Sequence, residues 1–411
     1  MLTTISICWN DKLWRLSFCC ILFMGVVVAS LMPYLSIIGI ERLGFSDTTY
    51  AIVTTGGALM SLLASVFVGV YTDQTGRYRE VLITSIALGI IGSLAMYLMP
   101  AKGTFILAHV LMIPLASTAF TQYFALGQLA ANRNPKIDRD FSSSAIRAGF
   151  SLSFALTPPV WAFFIAQGMD LFIIYAVMAV LNIFILTLVF TSWPKDQTSD
   201  NNEKSGITFF QGLRELTALP VMIRVFAISA ILGAVNLYNI VLGLIIINNL
   251  DGIEAQAGLF AGGVALIEVP VMLISPAILR YVSKSAFIGV GALIYIIYLI
   301  PFGTMSSMTS AWWLMLPAGI GAGILLSVSV GYMQDMMTHR PGAGGALVSV
   351  SHFSAAIFAS GVFAFGTSVT DYVGTSWIGA GCAIFGAILL MGFDKWRLRS
   401  KAYLLKQGIE V

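Results

Sequence analysis

Glu268 lies alone in a long apolar run, GGVALIEVPVMLISP at 262–276. A carboxyl group in apolar surroundings is costly to ionise, unless a cation or several hydrogen-bond donors compensate its charge. Such a group takes up or releases a proton when its exposure to water changes. Arg147 and His352 also lie in apolar runs. We therefore predict proton-linked chemistry with three candidate residues: Glu268, Arg147 and His352.

Each of these residues also has a structural alternative. Glu268 can stay protonated and bond to a neighbouring helix, or remain paired with Arg147. Arg147 can extend its guanidinium to a nearby aqueous interface. A single buried histidine can serve as a hydrogen-bonding group that holds helices together.

A second group consists of neutral polar side chains within apolar runs. Amides both donate and accept hydrogen bonds, and aromatic faces suit the C–H surfaces of a ring, so these residues suit an uncharged ligand covered in hydroxyl groups. Asn236 and Asn239 are three residues apart and share one helix face. The alternative is that each amide joins two helices. The candidates are Gln122, Asn182, Asn236, Tyr238, Asn239 and Gln334.

The composition shows which elements must position these residues. The chain has 411 residues, of which 58% are hydrophobic and 10% charged, and its mean hydropathy is +0.89. Soluble domains are about 25% charged, and a membrane-spanning helix needs roughly 20 apolar residues. We predict a polytopic all-α membrane protein with spans at 14–39, 49–71, 81–99, 104–130, 141–167, 171–192, 221–248, 255–280, 285–303, 311–336, 342–369 and 372–393.

The longest hydrophilic stretch, 193–220, divides these twelve spans into two sets of six. We therefore predict an N-terminal bundle over 1–192, a linker over 193–220, a C-terminal bundle over 221–393 and a tail over 394–411. Of the 22 lysines and arginines, only Arg42 and Lys102 fall in segments on the side opposite the termini, and Arg147 falls within a span. Positive residues favour the cytoplasmic side, so both termini are predicted to be cytoplasmic.

The loop between the second and third spans carries a cluster of glycines and charges, with Gly69, Asp73, Gly76, Arg77 and Arg79. Asp73 can accept hydrogen bonds at a helix N-terminus and pair with an arginine. The pattern resembles the signature loop of the major facilitator superfamily. The resemblance implies two six-helix bundles with a substrate site between them and a conformational latch in this loop. Asp335, at the end of the tenth span, is a further candidate for the latch.

Three segments resemble a narrower group, the bacterial sugar efflux transporter family. The first runs from Phe141-Ser-Ser-Ser through Arg147 to Thr157-Pro158-Pro159. The second is Ile267-Glu268-Val269-Pro270, and the third is Tyr332-Met-Gln334-Asp335, followed by Arg340-Pro-Gly342. The resemblance implies proton-coupled efflux of sugars or similar small molecules by alternating access across the bacterial inner membrane.

Other classes of function remain as alternatives or are disfavoured by the sequence. A proton-coupled multidrug exporter is the main alternative, followed by an uptake symporter and by a non-transporting sensor or scaffold. No nucleotide-binding loop, nucleophile elbow or metal-spaced His/Cys set is recognisable in the sequence. We therefore expect no enzyme activity, cofactor, metal or nucleic-acid partner. The expected partners are a small-molecule substrate, protons and lipid, and the expected state is a monomer.

Overall fold

The computed structural model describes residues 7–75, 77–137, 139–193, 218–336 and 341–406. Within these residues the secondary structure is helical, with no strand. Eleven helices there are long and apolar enough to cross a membrane. A further long helix, Asp47–Thr75, lies at the position of the second predicted span. The predicted all-α, polytopic class with twelve spans is confirmed.

Twelve helices, α1 to α12, follow one another in the order of the predicted spans. Two of them are composite: α4 contains the π-helical turn Ala108–Met112, and α10 contains the 3-10 turn Trp312–Leu314. The bounds are α1 Lys12–Leu31, α2 Asp47–Thr75, α3 Tyr78–Leu98, α4 Lys102–Arg133, α5 Arg139–Ala166, α6 Ile173–Ser192, α7 Leu219–Asn249, α8 Glu254–Ile278, α9 Lys284–Leu299, α10 Met308–Asp335, α11 Pro341–Val369 and α12 Tyr372–Lys406.

The first and last helices differ most from the predicted spans. The first apolar run extends to residue 39, but α1 ends at Leu31, just before Pro33, and a π-helical turn follows over Ile37–Arg42. Proline has no backbone N–H to continue the helix. At the other end, α12 continues to Lys406, beyond the predicted limit at residue 393. Hydropathy marks where apolar surroundings end, and a helix can continue past that point.

Proline also lies inside two of the helices that carry candidate residues. Pro158 and Pro159 lie within α5, and Pro270 and Pro276 lie within α8. Each removes one backbone donor from the helix. Membrane helices tolerate this because neighbouring helices and local adjustments satisfy the freed carbonyl groups.

Contacts divide the chain into two compact units. The first comprises Met1–Ile207, Leu242–Ile247 and Gly252–Ala265, and the second comprises Thr208–Val241, Asn248–Asp251 and Leu266–Val411. The predicted bundle boundaries at 192 and 221 stay a prediction.

Side-chain hydrogen bonds connect helices in the core of the first unit. The Trp14 indole N–H donates to Ser142 Oγ at 2.8 Å, and Ser17 Oγ donates to the Tyr123 carbonyl at 2.6 Å. Ser153 Oγ donates to the Leu22 carbonyl at 2.8 Å. These bonds fix α1 against α4 and α5.

Glycines allow close helix packing in the second unit. A Cβ at Gly386 on α12 would lie 2.7 Å from the Ala227 carbonyl oxygen on α7. A Cβ at Gly233 on α7 would lie 2.7 Å from the Phe358 ring on α11. Small residues at such positions let membrane helices approach closely and gain packing contacts.

Candidate functional site

Glu268 lies in α8 and is half-buried. Its carboxylate makes no hydrogen bond or ion pair within the described part of the chain. Its electrostatic partners are the buried tyrosines Tyr238 on α7 and Tyr295 on α9. Among the described residues, no positive charge pairs with this carboxylate to offset its loss of hydration, and two tyrosines interact with it electrostatically.

Tyr238, Tyr295 and Tyr298 form a tyrosine cluster, two members of which interact electrostatically with Glu268. Tyr298 is fully buried, and its ring centroid lies 5.4 Å from that of Tyr238 and 5.5 Å from that of Tyr295. The Tyr295 hydroxyl oxygen is buried and has no hydrogen-bond partner among the described residues. The cluster therefore contains a free buried hydroxyl near the carboxylate.

Two glycines of α10 allow this helix to pack closely against Tyr295 and Glu268. A Cβ at Gly321 would lie 2.8 Å from Tyr295 Cβ, and a Cβ at Gly323 would lie 3.1 Å from the Glu268 carbonyl oxygen. Because neither position carries a side chain, α10 packs directly on α9 and α8. The same contact fixes the backbones of Tyr295 and Glu268.

The other predicted residues of the second unit differ in their surroundings. His352 on α11 is exposed, and Asn236 and Asn239 on α7 are half-buried. The Asn239 amide donates to the Val235 carbonyl at 3.3 Å, one turn earlier in its own helix. His352 and Asn236 make no hydrogen bond within the described residues. These two side chains therefore keep their hydrogen-bonding capacity for another partner.

The two predicted amides of the first unit also differ. Gln122 on α4 is 3% exposed, and its Oε1 is buried with no hydrogen-bond partner among the described residues. Asn182 on α6 donates from Nδ2 to the Met178 carbonyl at 2.8 Å. The Asn182 amide also packs at Gly89 on α3, where a Cβ would lie 3.5 Å from it. Gln122 thus keeps an acceptor without a partner among the described residues, whereas Asn182 bonds within its own helix; the substrate-binding role of both stays a prediction.

Several predicted residues cannot be placed. Gly76 lies outside the described residues, and so do the surroundings of Gly69 and the side chains of Asp73, Arg147 and Gln334. The pairing of Glu268 with Arg147 therefore stays a prediction.

The remaining latch candidates have identifiable contacts. Arg77 forms an exposed ion pair with Glu80 at 3.6 Å, and the Arg79 guanidinium lies 5.7 Å from the centre of the Phe190 ring. In the second unit, Lys284 Nζ at the start of α9 pairs with Asp335 Oδ2 at 2.5 Å. Asp335 thus holds the end of α10 to the start of α9, and its role as a latch stays a prediction.

The sequence interpretation missed an ionic cluster in the second unit. Arg224 on α7 donates to Asp394 Oδ1 on α12 at 2.7 Å and 2.9 Å, and Tyr332 on α10 donates to the same carboxylate. The Arg224 guanidinium also lies 5.1 Å from the centre of the Phe393 ring. The sequence shows both charged residues near helix ends. It does not show that they pair, because 170 residues separate Arg224 from Asp394.

The first unit has its own cross-helix ion pair. Arg42, in the π-helical turn after α1, lies 2.7 Å from Glu254 at the start of α8. The hydrogen bond to Glu254 raises the pKa of Arg42, so the guanidinium stays charged. The pair borders an open cavity of about 540 Å³, which is also lined by Glu41, Ile165 and Gly168. Within the described residues, no group of three or more His, Cys, Asp or Glu could hold a metal ion.

Comparison with known proteins identifies relatives that share this architecture. Residues 17–361 match the family model described as Major Facilitator Superfamily. The chain is 26% identical to sugar efflux transporter A of Dickeya chrysanthemi, over 79% of this chain and 81% of that protein. It is 25% identical to sugar efflux transporter C of Escherichia coli, over 89% and 92%. The crystal structure of a nucleoside transporter superposes with a TM-score of 0.75 at 15% identity, covering 93% of this chain and 98% of that one.

Proposed function

Because the chain belongs to the Major Facilitator Superfamily, we propose that it is a secondary active transporter that exports sugars or sugar-like molecules in exchange for protons. It would work by alternating access in the bacterial inner membrane, with both termini in the cytoplasm. Relatives named as sugar efflux transporters, similar over most of their length, support this substrate class and direction. We propose that it acts as a monomer, without a cofactor and without enzyme activity.

The observation that carries the proton coupling is the unpaired carboxylate of Glu268. No cation in the described residues offsets its charge, so the neutral form is favoured whenever water is excluded from it. When water or a hydroxyl-rich substrate reaches the carboxyl group, new hydrogen bonds stabilise its ionised form and the proton is released. Proton release and substrate binding at one carboxyl group would give exchange.

Gln122 supports the sugar class of substrate. Its buried carbonyl oxygen lacks a donor among the described residues, and an unsatisfied buried acceptor costs about 1–3 kcal/mol. A sugar hydroxyl would satisfy this acceptor. Asn236 and His352 would offer further hydrogen bonds in the second unit, whereas Asn182 and Asn239 have weaker support because each amide already bonds to its own helix.

Transport into inverted membrane vesicles tests the proposal. With an imposed proton gradient, acidic inside, labelled lactose or glucose should accumulate, and a protonophore should abolish the accumulation. Glu268→Gln should remove the dependence on the gradient. Asp251→Asn is the matched control, because Asp251 is an exposed carboxylate in the loop before α8 whose backbone conformation asparagine also tolerates, and it should transport like the wild type.

The same assay separates the alternatives. Accumulation of dyes or drugs without either sugar would favour a multidrug exporter. Sugar uptake into right-side-out vesicles, driven by an inward proton gradient, would favour a symporter. If pH coupling survives unchanged in Glu268→Gln, Glu268 is not the proton carrier.

A further inference from the structure

Tyr295 has the features of a partner for the carboxylate on α8. Its ring is 1% exposed, it packs at 5.5 Å from Tyr298, and a backbone contact with Gly321 fixes its position. Its hydroxyl oxygen is nevertheless without a hydrogen-bond partner in the described chain. Leaving a buried hydroxyl without a hydrogen bond destabilises a structure. Packing alone would be satisfied by a phenylalanine, so the Tyr295 hydroxyl is expected to have another role.

We propose that Tyr295 is a positioning residue for Glu268, donating a hydrogen bond from its hydroxyl to the carboxylate in the deprotonated state of the transporter. This inference rests on the proposed role of Glu268 in proton coupling. When the Glu268 carboxyl group loses its proton to water, a carboxylate oxygen becomes a strong acceptor. The Tyr295 O–H turns towards it and keeps its own proton. When Glu268 is protonated again, the bond weakens and the hydroxyl is released.

Few other described groups could donate a hydrogen bond to the Glu268 carboxylate. Tyr238 from α7 and Tyr298 from α9 are the further titratable groups of the cluster. On α10, Gly321 packs against Tyr295 and Gly323, two residues later, packs against the Glu268 backbone. The two ion pairs described in this unit are Arg224–Asp394 and Lys284–Asp335, and in each the two side chains neutralise each other.

Infrared titration of the purified protein tests this assignment without any substrate. The protonated-carboxyl band of Glu268 is identified as the band missing from Glu268→Gln. In Tyr295→Phe, which keeps the ring and removes only the hydroxyl, the midpoint of this band should move to higher pH by about one unit, since the ionised form loses a donor. Tyr123→Phe is the matched control, because Tyr123 is also fully buried with an unpartnered hydroxyl but belongs to the first unit.

A second measurement does not depend on the folding of Tyr295→Phe. In the wild-type protein, a tyrosine C–O stretching band should change with the same midpoint as the carboxyl band and should stop changing in Glu268→Gln. An unchanged midpoint in folded Tyr295→Phe, or no tyrosine band that follows the carboxyl group, would overturn the proposal. Absence of sugar transport alongside a shifted midpoint would refute the proposed substrate and leave this assignment intact.

Discussion

At the scale of single residues, Gln122 and Asn182 show how similar buried amides can have different roles. Asn182 donates to a carbonyl of its own helix, whereas Gln122 Oε1 has no partner among the described residues. We expect Gln122→Leu to keep the stability of the protein and to raise the KM for the transported sugar about tenfold, the equivalent of one hydrogen bond. Vesicle transport across a range of sugar concentrations measures this effect.

Asn182→Leu is the control for this prediction. It should leave KM unchanged while lowering the melting temperature, because the amide that packs at Gly89 is lost. Equal KM values for the two variants would show that the free acceptor of Gln122 does not contact the sugar.

Two ion pairs of the second unit are expected to contribute unequally to stability. The side chains of Arg224 and Asp394 are 12% and 16% exposed, and those of Lys284 and Asp335 are 31% and 59% exposed. Arg224→Ala leaves a largely buried carboxylate without its cation, with only the Tyr332 hydroxyl still donating to it, so we expect a loss of about 3 kcal/mol in the free energy of unfolding. Lys284→Ala should cost about 0.5 kcal/mol, because solvent screens the exposed pair.

Thermal denaturation in detergent compares these two variants directly. Similar decreases in melting temperature for the two variants would mean that burial does not determine how much each ion pair contributes to stability. Tyr332→Phe adds a check on the same cluster, because it removes one donor to Asp394 and leaves the ion pair in place.

The position of Glu268 could be predicted from sequence, but its neighbours could not. A single carboxylate in a long apolar run is recognisable from the sequence alone, because no residue nearby in the sequence can neutralise its charge. Tyr238 and Tyr295 belong to different helices, and only the packing of α10 on α8 and α9 determines which tyrosine hydroxyl is close to the carboxylate. Hydropathy contains no information on that packing.

At the scale of elements, most helix bounds agree with the apolar runs within a few residues. A membrane helix must satisfy its backbone hydrogen bonds internally, so a run of the right length leaves few other structures available. The π-helical turns at Ile37–Arg42 and Ala108–Met112 were not predicted. Nothing in their sequences, IIGIER and AHVLM, distinguishes a π-helical from an α-helical turn, and the change in hydrogen bonding depends on tertiary contacts.

The approach of α8 to α5 and to the turn after α1 depends on two glycines. A Cβ at Gly258 would overlap the Tyr34 hydroxyl and lie 2.7 Å from the Pro158 carbonyl oxygen. A Cβ at Gly262 would overlap the Pro159 ring. The carbonyl belongs to the backbone and cannot move independently, so we expect Gly258→Ala to lower the free energy of unfolding by about 2 kcal/mol.

Gly381→Ala provides the comparison for this contact. Gly381 lies in α12, and a Cβ there would meet nothing within 4 Å. Alanine should therefore be neutral or slightly stabilising at this position, because it favours the helix more than glycine does. If the two alanine variants have the same melting temperature, the close approach at Gly258 does not constrain the fold.

At the scale of the whole molecule, the number and order of the helices follow from composition and charge. The apolar runs determine the helices, and the lysines and arginines determine the predicted orientation. The family match over residues 17–361 agrees with this architecture. The substrate does not follow in the same way, because it depends on a few polar side chains whose contacts hydropathy does not describe.

Orientation is the last prediction, and it determines the direction in which a proton gradient can drive exchange. Gly103 at the start of α4 is exposed with open space around it, and Tyr281, between α8 and α9, is 89% exposed. The charge distribution places residue 103 outside and residue 281 inside. In a background without the native cysteines, an impermeant maleimide should label Gly103→Cys in intact cells, and Tyr281→Cys only after permeabilisation. The reverse labelling pattern would show that the topology is inverted. Protons entering the cell would then no longer drive export of the substrate through the proposed arrangement of helices.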